Sequence, residues 1–447
     1  MSRIRIIITI IVVVLTTLLT GCTGKEPNEI AYVVALGIDS TDDDNYKITI
    51  QYANTTQISG GASESGGKAG SEIVDNVTIE APNIYAGVGL ANNIVSKSFS
   101  MSHAKLIVFS KEIAEKGVKD MIETLVRSEE IRPDVFIAVA NTTANDYLTS
   151  VNPEMEVNPA QYYQLIYQKN QLVGIPDGQL REFFTGLYTD NYDSILPVAG
   201  VIEGAGGNSQ NDDKGQSKDS QNEGSEGSSE SLDSFESKNS DENEKEKDAE
   251  KNTSKYEYDI KNYVGGETAI EKKNKAEAIG AAVFEKDKMV GELGEVETEI
   301  CKMLKGDYTY SYLTYYNNDT PDIPITVKTT QQKKPKYKID TDKKTVDIEL
   351  YIESDLYSLP ADYNVENKIE DFERDVANYT SSACTEFINN FTKKYNSDIL
   401  KLNEKIKYKF LTNNQYNWFK KNVGWSEYKF SVCTNFKVRR TGLIVRE

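Results

Sequence analysis

Residues 366–395, ENKIEDFERDVANYTSSACTEFINNFTKKY, decide how the second half of this chain folds. Ile369, Phe372, Val376, Tyr379, Ala383, Phe387, Phe391 and Tyr395 recur every three or four positions, so they share one face of an α-helix. A helix of about eight turns with a single apolar stripe must bury that stripe, and a sheet is the surface long enough to receive it. The C-terminal end supplies one. Tyr428, Phe430, Val432, Thr434, Phe436 and Val438 alternate with polar neighbours, the two-residue period of a strand with one wet face. Val346, Ile348, Leu350 and Ile352 alternate with Asp347, Glu349 and Tyr351 in the same way.

Working back toward the amino end, residues 276–285 and 288–291 read as a strand pair around the turn Glu285-Lys286-Asp287-Lys288. A short helix from Glu295 to Leu304 follows, ended by Gly306. Before these comes a break in composition. Residues 203–256 are Gly, Ser, Asn, Asp, Glu and Lys, with Leu232 and Phe235 the large apolar side chains among them up to Lys255. Such a stretch cannot bury enough surface to offset its ordering entropy, so it is expected to be an acidic, solvated linker. A smaller Gly/Ser loop runs from Ser59 to Ser71.

The first half alternates strands and helices. Residues 30–39 and 46–53 form a hairpin across the polar turn 40–45, whose aspartates lack the glycine and distal glutamate of a calcium loop. A short strand at 77–80 leads, after Pro82, into a helix over 83–96. Strands over 105–109 and 135–140 flank one amphipathic helix over 113–126, another helix begins at 144–149, and 160–188 reads as helical. This interleaving predicts a mixed α/β layer.

The amino end carries Arg3 and Arg5, an apolar run from Ile6 to Leu19, and then Leu19-Thr20-Gly21-Cys22. That order is a secretory signal, expected to occupy residues 1–21, and its close matches the lipobox of bacterial lipoproteins. The apolar run is about two-thirds of the ~20 residues that span a bilayer, which favours cleavage over a signal anchor. Cys22 is then the lipidation site and becomes the mature first residue. One acyl chain binds a membrane marginally, at ~0.8 kcal/mol per buried methylene, whereas two chains anchor stably. The chain beyond Cys22 is therefore expected outside the cytoplasmic membrane, tethered to its outer face.

Composition narrows the remaining choices. Seventy Asp and Glu against 51 Lys and Arg give a net charge of −19, which argues against nucleic acid as a partner. Beside Cys22, the cysteines are Cys301, Cys384 and Cys433, an odd and widely spaced set that is no disulfide framework. With one histidine in the chain, a zinc site is not expected. Cys433 falls on the polar side of its strand and Cys384 beside the helix stripe, so both read as incidental thiols.

The order of these segments resembles the Ger(x)C family, the lipoprotein C subunits of bacterial spore germinant receptors. The residues that carry the resemblance are distributed from Cys22 to Glu447. After the lipobox, Ile30-Ala31-Tyr32-Val33-Val34-Ala35-Leu36-Gly37-Ile38-Asp39 follows as in the family. His103-Ala104-Lys105-Leu106-Ile107-Val108-Phe109 is similar to its His-x-Lys strand, and Arg127-Ser128-Glu129-Glu130-Ile131-Arg132 to its Arg-x-x-Glu-Ile-Arg segment. Gly280-Ala281-Ala282-Val283-Phe284 resembles its Gly-x-Ala-Val-Phe hairpin. Asp398-Ile399-Leu400, Trp418, Trp425 and Arg439-Arg440-Thr441-Gly442 match its C-terminal order. The acidic insert is longer than the family's pattern, so nothing about it carries over.

The resemblance implies an α+β fold, with helices packed on mixed and antiparallel sheets in two to three subdomains. Their expected extents are 22–202 and 257–447, with a sub-boundary near 320. It also implies a non-enzymatic role in nutrient-triggered germination beside polytopic A and B membrane subunits, on the inner spore membrane. No cofactor is expected beyond the diacylglycerol and N-acyl lipid on Cys22.

The competing classes leave weaker traces. His103 sits in Ser100-Met101-Ser102-His103 with no nucleophile motif nearby, and reads as a structural histidine. Gly87-Val88-Gly89 opens a helix after a strand, but the third glycine and the distal acid of a dinucleotide fingerprint are missing. Trp418 and Trp425 read as core or sheet-edge packing before they read as a partner's anchor. A solute-binding lipoprotein of a transporter would share the anchor, yet would show two similar α/β lobes.

Overall fold

The computed structural model describes residues 3–9, 29–43, 45–53, 74–152, 158–168, 174–189, 191–202, 262–268, 274–317, 320–358, 368–395 and 397–441. The stretch around Cys22 and the insert at 203–256 lie outside the described residues. The chain divides into Met1–Ala205 with Ile260–Glu447 and, apart from these, Gly206–Asp259, which takes in most of the insert and the three residues after it.

The first half builds a sheet through β1 (Ile30–Ser40), β2 (Tyr46–Ala53), β3 (Val74–Ala81), β4 (Ser98–Ser100), β5 (Leu106–Ser110), β6 (Phe136–Ala140) and β7 (Ile195–Val201). Its helices are α1 (Ile84–Ala91), α2 (Lys111–Lys116), α3 (Lys119–Val126), α4 (Ala144–Ser150), α5 (Pro159–Gln168) and α6 (Leu180–Thr189). Strands β1, β5, β6 and β7 run parallel at the centre, with the hairpin partners β2 and β3 antiparallel on one flank. On the other flank stand β8 (Ala276–Glu285) and β9 (Lys288–Leu293), which come from beyond the insert. The strand order is β3-β2-β1-β5-β6-β7-β8-β9, with β4 beside β1.

Every residue of β5 and of β6 is buried, because this sheet has helices on both faces. Leu36, Ile38, Ile48 and Phe109 point into the core shared with Ile113, Ile122 and Phe183. Val34, Leu106 and Ala138 point to the other side, where Tyr147, Tyr163 and Tyr167 fill the space. The polar ends of those tyrosines are satisfied there. The Tyr163 hydroxyl donates to Gln51 Oε1 at 2.5 Å, and Gln51 Nε2 donates to the Leu148 carbonyl at 2.9 Å.

Two sequence expectations divide here. The single helix expected over 113–126 is two helices, α2 and α3, because Gly117 takes φ +124° and the Val118 amide leaves the helix to bond the Asp287 carbonyl at 2.9 Å. The helical stretch expected over 160–188 resolves into α5 and α6 on either side of Pro176. The helix expected over 83–96 is shorter, Ile84–Ala91, and the Asn83 side chain caps it by accepting from Ala86 N.

The second half continues with α7 (Glu295–Lys305), ended as expected by Gly306 in the left-handed region at φ +85°. A second sheet follows from β10 (Tyr310–Asn317), β11 (Thr320–Gln331), β12 (Lys336–Asp340), β13 (Thr345–Ser358) and β14 (Lys429–Arg440). Its order is β10-β11-β13-β12, with β14 parallel to β13 along its other edge. The long helix, α8, spans Ile369–Tyr395. Its apolar stripe covers the sheet, with Cys384, Phe387, Ile388 and Phe391 against Val346, Ile348, Leu350 and Phe430. That same core takes in Val283 and Leu293 of the first sheet, so the two halves share it. The architecture is α+β, with mixed sheets and packed helices.

Candidate functional site

The residues singled out by sequence are not brought together. Cys22 lies outside the described residues. His103 is exposed, its ring edge-on to Tyr32 at 4.9 Å. Gly87 lies in α1 where a Cβ would meet Ile48 Cδ1 at 2.6 Å, so its need for glycine is close packing of helix on sheet. Cys301 and Cys384 are buried, and burial pushes both thiols up to about 12, which leaves them inert. Cys433 is exposed, as its place on the strand predicts. The two tryptophans part company: Trp425 is buried, its indole donating to Asn403 Oδ1 at 3.2 Å, while Trp418 is exposed.

What the fold does bring together is a charged cleft of about 440 Å³ between the two halves. Asp177, Glu182 of α6, Tyr192 and Asp193 line it from the first half. Lys302 and Lys305 of α7, with Asp307, Tyr308 and Lys401, line it from the second. Lys401 Nζ stands 3.0 Å from Glu182 Oε2 and 4.2 Å from the centre of the Tyr192 ring. The Tyr192 hydroxyl donates to the Glu182 carbonyl at 2.9 Å. Burial works to raise Glu182, but the bond and charge of Lys401 outweigh it and hold the carboxyl below its ordinary value.

The deeper groups are held differently. Lys302 is 6% exposed and donates to the Ile175 carbonyl at 3.0 Å, and burial lowers it to about 8. Burial raises Asp177, with Lys305 opposing. Beneath them Asp193 and Asp398 clasp each other through the backbone: the Asp398 amide donates to Asp193 Oδ2 at 2.9 Å, and the Asp193 amide to the Asp398 carbonyl at 3.2 Å. The Asp398 carboxyl accepts from Leu402 N at 2.7 Å and Asn403 N at 2.8 Å, capping the helix α9 (Leu402–Ile406). Burial pushes that carboxyl up to about 7.

The chemistry of this cleft is that of a clasp. Lys401 is spent on Glu182 across the seam and Lys305 on Asp307 within the second half at 3.4 Å, so these lysines are paired rather than aimed at an open centre. Among the described residues no group of three His, Cys, Asp or Glu is placed to hold a metal ion. Sequence reasoning noted Asp398-Ile399-Leu400 without finding this role. Lys302, a charge inside the buried run Cys301–Leu304, was the one local signal available.

Comparison with known proteins places this architecture. A family model described as the spore germination protein N-terminal domain matches residues 24–201. One described as spore germination B3/GerAC like, C-terminal, matches residues 279–442. Spore germination protein KC of Bacillus subtilis (strain 168) is 26% identical over 176 residues, 36% of this chain and 43% of the relative. The putative spore germination protein YfkR of the same organism is 28% identical over 145 residues, 32% of this chain and 37% of the relative. Each alignment thus spans less than half of the curated relative. A solved structure, described as the crystal structure of the GerBC protein, superposes with a TM-score of 0.48 at 15% identity, over 90% of this chain and 96% of that one. With both domains present in order on either side of the acidic insert, the chain belongs to the GerAC-like family of spore germination proteins.

Proposed function

We propose that this chain is a lipid-anchored, non-enzymatic accessory subunit of a nutrient germinant receptor, acting in spore germination with polytopic A and B membrane subunits. The observation that carries the reading is the pair of family domains, 24–201 and 279–442, in one chain. The lipobox at Cys22 supports the anchor, which would bear a diacylglycerol and an N-acyl chain, on the outer face of the cell membrane and the inner membrane of the spore. Confinement to that surface raises the effective concentration of the subunit beside its bilayer-embedded partners without any new contact. The clasp supports the coupling role, because the Lys401–Glu182 pair and a shared core join the two halves.

Affinity purification of the chain from spore membranes tests this. Co-recovery of two polytopic membrane proteins is expected, as is loss of the chain from the membrane fraction in Cys22→Ala, with a slowed nutrient response in both the deletion strain and that variant. Recovery of acylated chain with no polytopic partner, or muropeptide release by the purified chain, refutes the accessory-subunit reading. Saturable binding of an amino acid, nucleoside or sugar by isothermal titration would favour the solute-binding alternative.

A further inference from the structure

The outer face of α1 departs from the rule that a helix on a sheet is apolar inward and polar outward. Its eight residues, Ile84-Tyr85-Ala86-Gly87-Val88-Gly89-Leu90-Ala91, include no charge, no side-chain amide and no aliphatic hydroxyl. Ile84, Val88 and Ala91 are buried in the core under the sheet, with Gly87 against Ile48. Tyr85, Gly89 and Leu90 turn the other way and are exposed, and a Cβ at Gly89 would meet nothing within 4 Å. Tyr85 is 39% exposed, Leu90 48%, and Ile94, in the turn beyond the helix, 70%. The run Ala81–Ser96 that holds them has no Asp, Glu, Lys or Arg, in a chain whose residues are 27% charged. This uncharged surface adjoins the first residues of the fold. Phe99 N donates to Asn92 Oδ1 at 2.8 Å, and β4 sets Ser98 beside Ile30 and Phe99 beside Ala31, so the turn 92–97 stands at the start of β1.

We infer that Tyr85, Leu90 and Ile94 rest in the interfacial region of the lipid bilayer that holds Cys22. The inference rests on the reading of Cys22 as the lipidation site. The length of the connection selects the occupant. Eight residue steps separate Cys22 from Ile30, and fully extended they span at most about 29 Å. A Cys22 fixed at the membrane surface therefore keeps the start of β1, and the turn 92–97 beside it, within that distance of the headgroups. The far end of β1, eleven residues on, stands about 36 Å further along the strand. Charge acts in the same direction. A chain of net charge −19 is repelled by acidic lipid, so a face without carboxylates is the one that approaches a bilayer at least cost. A protein partner would need charged groups here to fix its register, which lipid does not. Tyr85 suits the boundary, with an apolar ring and a hydroxyl for the headgroups. Three side chains bury too little area to hold the chain at a membrane alone, so the anchor supplies the affinity and this face the orientation.

The test uses the full acylated chain in phosphatidylcholine vesicles containing lipids with a nitroxide high on the acyl chain. Cys433→Ser removes the exposed native thiol, Cys301 and Cys384 being buried, and Leu90→Cys, Ile94→Cys or Asp42→Cys then takes a fluorescent nitrobenzoxadiazole label. Asp42, exposed in the turn after β1, is the control at the far end. Flotation reports the anchor, and nitroxide quenching reports the docking. Expected is quenching of at least about twofold at positions 90 and 94 and none at 42, unrelieved by salt because no ion pair is involved. The same labels on a Cys22→Ala chain should neither float nor be quenched. Chain that floats with positions 90 and 94 unquenched, or with 42 quenched as strongly, overturns the docking while leaving the anchor standing. A Cys22→Ala chain that still floats and is quenched at 90 and 94 overturns the anchor's part and upholds the docking. Acylated chain that stays in solution overturns both. Labels at 90 and 94 already shielded before vesicles are added, or shielded only by a co-purified membrane protein, assign the face to the chain itself or to that protein and overturn the inference.

Discussion

At the scale of single residues, Asp398 is sealed from water and keeps its proton up to about pH 7, while in an unfolded chain the same group releases it near 3.8. Between those values the folded state binds more protons than the unfolded one, so stability falls as pH rises through that window and levels off above it. Glu299, also pushed up to about 7 by burial, acts with the same sign. The melting temperature is therefore expected to be lower at pH 8 than at pH 5.5. Asp398→Asn, which keeps an acceptor for one of the Leu402 and Asn403 amides and removes the titrating group at some cost in stability, should shrink that difference, and an unchanged slope in the variant would place the titration elsewhere. The cysteines give a second residue-scale prediction. Iodoacetamide on the native chain should modify Cys433 and spare Cys301 and Cys384, as read by peptide mass spectrometry, until denaturant exposes them. The alternation of β14 made the exposure of Cys433 legible in advance. The burial of Asp398 was not legible, because a carboxylate's dielectric surroundings come from elements far away in sequence.

Among the elements, α8 does more than bury an apolar stripe. β14 pairs with β13 on one side, and α8 covers its other edge with side chains. Phe430 N donates to Asn389 Oδ1 at 3.1 Å, Val432 N to Thr385 Oγ1 at 3.0 Å, Thr434 N to Ser381 Oγ at 2.9 Å, and Val438 N to Glu373 Oε1 at 2.8 Å. Asn389 Nδ2 returns a bond to the Phe430 carbonyl at 3.0 Å. The spacing explains the match: four helical residues advance about 6 Å and two strand residues about 6.6 Å, so polar steps along the helix meet the alternate amides of Phe430, Val432, Thr434 and Val438. The step at Ala377 has no polar group to offer. Asn389→Ala removes both bonds at Phe430 and should cost about 1–3 kcal/mol, read as a lower urea midpoint, with increased aggregation as the strand edge opens. The apolar stripe of α8 was plain from its period. Its polar stripe was not, since Glu, Ser, Thr and Asn on a helix read as a face turned to water. Strands β10 to β12 escaped sequence reading for a related reason: Lys, Thr and Tyr, with Pro324 and Pro335 among and beside them, blur the two-residue signal.

For the whole molecule, the insert joins strands that are hydrogen-bonded neighbours. Val201 pairs with Ala276 and Gly200 with Glu277, so the chain leaves the first sheet at β7 and re-enters beside the same strand. Deleting residues 203–255 should therefore keep a single cooperative thermal transition with little change in midpoint, and loss of cooperativity would show that the insert contributes to the core. The sequence marked the insert by composition, yet nothing local announced that the strands on either side of it would meet, because pairing between β7 and β8 is decided by their common burial. The same ladder has a mechanical meaning. The first half and the C-terminal part are joined through the β7–β8 ladder and the Lys401–Glu182 contact as well as through the connecting chain. The two halves are thus joined by one continuous sheet and one shared core rather than being two bodies strung on a tether.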